Sequence, residues 1–298
     1  MKQSLYKYIS MGRSRRRGCV HVTFSAPSLE ERMAAESRLA TYSMGLVNID
    51  SQELILGPTV YKLNRSAYCN EGRIHWVEAP DGQKLVIKEG YIAKESTELG
   101  DVTQVACDTL DWFQTLIDAP QEGLVTPYKV GTTLGPDRVS HYSWFLAMEA
   151  CDGDLFDRIE SGRLSTSETH GVATEVLAGL AFLETQGKCF SDLKPANVFI
   201  KDGRCMLGDI DACLDFDHAK NTDLEDLITL IYKCLTGTLS SLGASQHERE
   251  LAELYETLVQ SKDEDEQRLG QLVSLIQKQM DGTKSPGAIL RACESLPN

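Results

Sequence analysis

The chain has 298 residues, room for one two-lobed domain or two ordinary ones, and its 42% hydrophobic and 25% charged content is that of a soluble globular protein. No apolar run approaches the roughly 20 residues of a membrane span, so no transmembrane segment is expected, and the basic start lacks the apolar core of a secretory signal. The net charge of −14 argues against general nucleic-acid binding, which needs phosphate-neutralising surface. Nine cysteines without CxxC pairs point to reduced thiols in an intracellular, cytoplasmic setting rather than to a disulfide frame or a zinc site.

Residues 1–17 carry six basic side chains (Lys2, Lys7, Arg13, Arg15, Arg16 and Arg17) and no acid, which leaves −20 for the remainder. Such a run is a solvated tail, a localisation signal, an anionic-membrane contact or an interaction arm. Residues 1–44 read as an N-terminal extension outside the catalytic core, with one helix from about Ser28 to Leu39 opened by Pro27-Ser28-Leu29-Glu30-Glu31. From Leu46 to Lys88 the pattern is that of strands: Val60–Leu63, Arg73–Val77 and Lys84–Lys88, the last two joined by a Pro80-Asp81-Gly82 turn. Between Val102 and Ile117 the apolar positions Val102, Val105, Ala106, Thr109, Phe113 and Leu116 follow helical spacing.

Trp144–Met148 is a continuous apolar strand of the buried kind, followed by Glu149-Ala150-Cys151-Asp152-Gly153-Asp154-Leu155, in which Asp154 can cap a helix over Leu155–Ile159. Ser165 or Thr166 opens the clearest helix, its stripe is Val172, Val176, Leu180 and Leu183, and Gly187 ends it. His170 near its start reads as a surface histidine. Asp223–Gly237 and three segments beyond, Glu248–Leu258, Asp265–Met280 and Pro286–Cys293, complete a helical second half.

Between these helices lies Phe190–Asp211, FSDLKPANVFIKDGRCMLGDID. Asp192, Lys194 and Asn197 are too closely spaced around Pro195 for one regular strand, so they read as a loop that turns polar side chains into one volume. Asn-Val-Phe-Ile then begins a strand, Asp202-Gly203 is a hairpin turn, and Cys205-Met206-Leu207 returns to deliver Asp209 beside the loop. Two carboxylates, a carboxamide and an ammonium are brought together, a set suited to a metal-bound polyphosphate.

This segment resembles the catalytic loop H-R-D-L-x-x-x-N and the metal turn D-F-G of protein kinases, keeping Asp192, Leu193, Asn197 and Asp209, with Lys194-Pro195 in the serine/threonine form. The resemblance implies an α+β, two-lobed protein kinase-like fold, with a small β-rich lobe over 45–148 and a larger, shortened helical lobe over 149–298. It implies ATP and Mg2+ as cofactors. Asp192 and Lys194 are then the catalytic pair, and Asn197 and Asp209 the metal ligands. Lys88 ends the counterpart of V-A-I-K and grips phosphate. Gly72 stands where the last glycine of the phosphate-covering loop belongs, Met148 flanks the deep pocket, Glu149 and Cys151 offer backbone to the adenine, and Asp154 faces the ribose. Asp223 aligns with the acid that caps the catalytic loop, and either Glu98 or Asp108 is available to pair with Lys88.

The departures are as informative. Asn64–Gly72 has one glycine where the family has three, Phe190-Ser191 replaces His-Arg, and Asp209-Ile210-Asp211 replaces D-F-G. Only the eleven residues ACLDFDHAKNT separate Asp211 from Asp223, with no A-P-E. The missing activation segment and the missing phosphate-reading arginine agree with each other. The expected activity is transfer of the γ-phosphoryl group to Ser/Thr hydroxyls of a protein substrate without activation-loop phosphorylation, constitutively or with an activating protein partner. A small-molecule phosphotransferase and a pseudokinase scaffold are the alternatives.

Overall fold

A computed structural model of the chain describes residues 29–43, 47–49, 52–69, 72–93, 99–134, 141–210, 213–215, 222–239, 244–280 and 285–294. The basic tail, Glu98, Asp211 and residues 216–221 lie outside them. The chain divides into two units, Met1–Pro120 with Thr126–Ala150, and Gln121–Val125 with Cys151–Asn298.

The first unit is built on an antiparallel sheet of β1 (Val47–Ile49), β2 (Glu53–Leu56), β3 (Thr59–Cys69), β4 (Gly72–Glu78), β5 (Lys84–Ala93), β6 (Pro127–Leu134) and β7 (His141–Glu149). Among the described residues its order is β1-β2-β3-β4-β5-β7-β6. Alternating positions bury Leu54, Leu56, Tyr61, Val77, Leu85, Ile87, Phe145 and Ala147 in one apolar cluster, as the two-residue period of a pleated strand requires. The turn after β4 falls at Pro80-Asp81-Gly82, where Gly82 donates to the Ala79 carbonyl at 2.9 Å. Helix α1 (Leu29–Thr41) lies against helix α2 (Leu99–Asp118), so residues 29–43, expected outside the core, are part of this unit. Strand β6 is not legible as one in sequence, because Gly131, Thr132 and Thr133 interrupt any apolar run; its partner β7 supplies the reason it forms.

In the stretch read as the counterpart of the phosphate-covering loop, β3 continues to Cys69 opposite β4, with a bulge between Leu63 and Arg65. Two cation–π pairs staple directly opposed residues. The Arg65 guanidinium sits 3.7 Å over the Trp76 ring and that of Arg73 4.7 Å over Tyr68. Behind them Ser66 Oγ meets His75 Nδ1 at 2.8 Å, and His75 Nε2 meets Glu89 at 3.4 Å. This gives fully buried His75 hydrogen-bond partners on both sides.

The second unit is helical around a small hairpin. It comprises β8 (Gly153–Asp154), α3 (Leu155–Glu160), α4 (Thr166–Thr185), β9 (Lys188–Cys189), β10 (Val198–Lys201), β11 (Arg204–Leu207), β12 (Leu214–Asp215), α5 (Asp223–Thr236), α6 (Ala244–Gln260), α7 (Glu264–Met280) and α8 (Pro286–Glu294). Helix α4 buries Val172, Val176, Leu177, Leu180 and Leu183 and meets α5, α7, α8 and β11. The segment Gln121–Val125 joins this unit: Leu207 donates to the Gly123 carbonyl and Val125 to that of Leu207. It lies so close to α4 that a Cβ on Gly179 would stand 2.6 Å from the Gly123 oxygen.

Ser165 caps α4 through a reciprocal box with Glu168. The Ser165 backbone N–H, then its hydroxyl, then Arg158 hold the Glu168 carboxyl down, from 4.5 to about 2. A depressed carboxyl stabilises the fold above its unfolded pKa and ceases to do so as pH falls through its folded one. Urea midpoints of the wild type are therefore expected to lose a small contribution between pH 4.5 and about 2 that Glu168→Gln lacks. Ser165→Ala is expected to cost about 1 kcal/mol at neutral pH.

Candidate active site

The loop Phe190–Lys194 has no regular backbone of its own, so its buried N–H groups need acceptors from elsewhere. Asp223, the first residue of α5 and only 2% exposed, supplies them: Phe190 N–H donates to its Oδ2 and Ser191 N–H to its Oδ1, both at 2.8 Å. Burial pushes the Asp223 carboxyl upward, and the two N–H bonds oppose that shift. Ser191 has φ 65°, a left-handed conformation rare for a side-chain-bearing residue, and its hydroxyl lies 3.0 Å from Cys189 Sγ. The backbone turn this produces aims Asp192 away from the core.

Around Asp192 the polar groups converge as the spacing implied. Lys194 Nζ donates to Asp192 Oδ2 at 2.5 Å. Asn197 Nδ2 donates to the same oxygen at 3.0 Å and to the Asp192 main-chain oxygen at 2.9 Å. A single 3-10 turn over Pro195–Asn197 produces this closure. Asp192 and Lys194 are half exposed, with 47% and 41% of their side-chain surface open, and so are accessible to a substrate. Asp226 of α5 joins the acidic surroundings: burial raises its carboxyl, Thr222 opposes, and Asp223, Glu225 and Asp192 raise it further.

Strands β10 and β11 pair from Val198↔Leu207 to Lys201↔Arg204. Asp202 at φ 50° and Gly203 at φ 77° make the expected turn. Gly208 N–H then donates to the Asn197 main-chain carbonyl at 3.0 Å, which brings the backbone of Asp209 (φ 60°) close to that of Asn197. With Nδ2 of Asn197 engaged by Asp192, its Oδ1 and the Asp209 carboxylate are the oxygens of this stretch that could hold a cation. Two oxygen donors suit Mg2+, which takes its other ligands from phosphate and water. Sequence reasoning missed Gly208, where a Cβ would lie 2.3 Å from the Phe199 ring. It also missed Asp152, whose Oδ2 accepts from Asp202 N–H at 2.9 Å while its own N–H donates to Ile200. Cys151 and Asp154 belong to this unit, and Asp154 Oδ1 caps α3 through Asp157 N–H at 2.9 Å.

Lys88, Gly72, Met148 and Glu149 belong to the first unit. Lys88 is 6% exposed, and its ammonium stands 5.9 Å above the Trp144 ring. That ring lies over Gly90, where a Cβ would approach within 2.1 Å, and its centroid is 5.3 Å from that of Phe113 on α2. Asp108, one of the two acids considered for Lys88, lies 3.9 Å from Arg38 of α1. Gly72 abuts β5 so closely that a Cβ would fall 1.8 Å from the Glu89 carbonyl oxygen, a structural requirement for glycine independent of any nucleotide. Met148 is half-buried, paired with Val86 and Pro127. Glu149 exchanges bonds with Thr126: N–H to carbonyl at 3.0 Å, and side-chain oxygen from the Thr126 N–H at 2.7 Å.

With the loop and turn in place, comparison with known proteins shows what part of the chain is similar to them. The protein kinase domain matches residues 117–239, from the end of α2 to just past α5. Protein kinase PINOID 2 of Arabidopsis thaliana is 45% identical over 83 residues, 26% of this chain and 16% of that protein. Serine/threonine-protein kinase WAG1 of the same plant is 38% identical over 82 residues, 26% of this chain and 17% of that protein. Serine/threonine-protein kinase mos of Apteryx australis is 51% identical over 47 residues, 15% of this chain and 24% of that protein. The chain thus aligns with about a sixth of the length of the plant relatives. The domain match spans 123 of the 298 residues, and over that segment the chain is similar to protein kinases.

Substitutions at two positions, Asp223 and Gly208, probe the scaffold of the site. Asp223→Ala leaves two buried N–H groups without their acceptor and is expected to destabilise by about 1–3 kcal/mol for each, with Asp223→Asn milder because it retains an acceptor; chemical denaturation measures both. Gly208→Ala is expected to cost about 1–3 kcal/mol by overpacking, and Phe199→Leu in the same chain to recover part of it.

Proposed function

We propose that the protein is an ATP- and Mg2+-dependent serine/threonine protein kinase that works without activation-loop phosphorylation. The observation that carries this reading is the convergence of Lys194 and Asn197 on one oxygen of Asp192, with Asp209 delivered beside Asn197 by the β10–β11 hairpin. Bound Mg-ATP would supply the transferable phosphoryl group and neutralise its charge. Asp192 Oδ1, the oxygen left after Lys194 and Asn197 engage Oδ2, orients the substrate hydroxyl and accepts its proton. Lys194 steadies the group in transit, Asn197 and Asp209 hold the metal, and Lys88 neutralises phosphate. Positioning and charge are most of what phosphoryl transfer asks of a protein.

Independence from a phosphorylated loop is supported by Ser191, which stands in the arginine position and is fixed by Asp223. It is also supported by the eleven residues from 212 to 222. Protein substrates, the cytoplasm and an activating partner complete the proposal. The paired β3–β4 hairpin, which exposes side chains where the family has glycines, favours a second reading, a nucleotide-binding scaffold without transfer.

Incubation with labelled ATP, Mg2+ and mixed protein substrates is the test, with Asp192→Ala and Asp209→Ala alongside. Label on protein that either substitution reduces by at least about a hundredfold is the expected result. Consumption of ATP without labelled protein would point to a small-molecule acceptor. A Mg-ATP-dependent rise in Tm with no turnover would establish the scaffold instead.

A further inference from the structure

Residues 29–43 are engaged where an idle extension would not be. The Arg38 guanidinium bonds Asp111 Oδ2 of α2 and stands 3.9 Å from Asp108, and the Tyr42 hydroxyl donates to the other oxygen of Asp111 at 2.7 Å. One turn earlier on α2, Cys107 donates its thiol hydrogen to the Ala35 carbonyl at 3.2 Å. Ala35, Leu39 and Cys107 are all buried, at 3%, 6% and 0% exposure. Beyond the helix the Tyr42 carbonyl accepts from Thr132 N–H at 2.9 Å, and Ser43 forms a parallel bridge to the same residue of β6. The segment is a strap, fixed to the face of α2 at one end and to the sheet edge at the other.

What the strap holds leads to Lys88 through the body of α2 and two ring contacts. Asp111 is two residues from Phe113, whose ring meets Trp144, and Trp144 is the platform over which the Lys88 ammonium lies. Gly90 is packed so closely against that ring that a Cβ there would lie 2.1 Å from it, so the platform has little slack. A shift or tilt of α2 would therefore move Phe113 against Trp144 and, through that ring, the lysine.

We propose that Arg38 and Tyr42 are positioning residues that act through α2 and Trp144 to hold Lys88 in place for nucleotide, so that this chain carries in its own N-terminal segment a helix-fixing device. The inference rests on the nucleotide-binding reading above. It also accounts for how a kinase with a short segment between Asp211 and Asp223 could be set without a phosphorylated loop. Neither residue touches nucleotide or substrate. Their effect is on the geometry of a group that does.

The test uses the full chain with Arg38→Ala, Tyr42→Phe and the exchanged pair Arg38→Asp with Asp111→Arg. Amide hydrogen exchange over residues 99–118 reads the strap, and Mg-ATP affinity, from titrated Tm, reads Lys88. Arg38→Ala is expected to speed exchange in α2 and weaken Mg-ATP binding about tenfold, while the exchange of α4 and α5 stays as in the wild type. Tyr42→Phe is expected to act in the same direction but less. The exchanged pair is expected to restore both quantities, which a loss of general stability would not allow. Unchanged exchange over 99–118 in Arg38→Ala overturns the strap. Faster exchange with unaltered affinity overturns its link to Lys88. A wild-type chain that binds no Mg-ATP would overturn the nucleotide reading, and the exchange measurement would still decide the strap.

Discussion

The carboxylate of Asp223, almost wholly withdrawn from water, accepts the N–H groups of Phe190 and Ser191 and so fixes the first two residues of a loop that has no secondary structure to hold it. A buried anion is costly unless hydrogen-bonded. Here the cost is offset by two main-chain donors and by its place at the start of α5, where the helix dipole favours negative charge. The left-handed turn at Ser191 is tolerated because both of its flanks are held. Everything downstream follows in steps: Asn197 closes back on Asp192, Gly208 bonds Asn197, and Asp209 arrives beside it. The chemistry of the site is thus an outcome of backbone hydrogen bonding before it is one of side-chain placement.

The first unit solves a different problem. Its β3–β4 hairpin gives up the backbone freedom of a glycine-rich loop for cross-strand pairs, Arg65 on Trp76 and Arg73 on Tyr68. A paired strand is stiffer than a loop, and its side chains keep the backbone further from any ligand beneath it. The polar chain runs from exposed Ser66 to buried His75 and Glu89 and satisfies groups that an apolar interior would leave unpaired. Gly72 and Gly90 belong to the same economy of space, one against the Glu89 carbonyl and the other under the Trp144 ring.

Much of this was readable in the linear chain, for local reasons. The stripe of α4 and its Ser165 cap, the Asp202-Gly203 turn, and the compact Asp192–Asn197 spacing are set by residues within a few positions of one another. Short-range order of that kind leaves a pattern. Strand β6 left none, because its strand character comes from its partner β7 rather than from its own residues.

By itself the sequence determined the resemblance to protein kinases, most of the helices and the polar residues around Asp192, since each is encoded in contiguous motifs. Only the tertiary structure decided that residues 29–43 bind α2, that Asp108 lies beside Arg38, and that Phe113, Trp144 and Lys88 stack in succession. Arg38 and Asp111 are 73 positions apart. No local period links such residues, and what selects their contact is which faces remain to be buried once the sheet and α2 have formed.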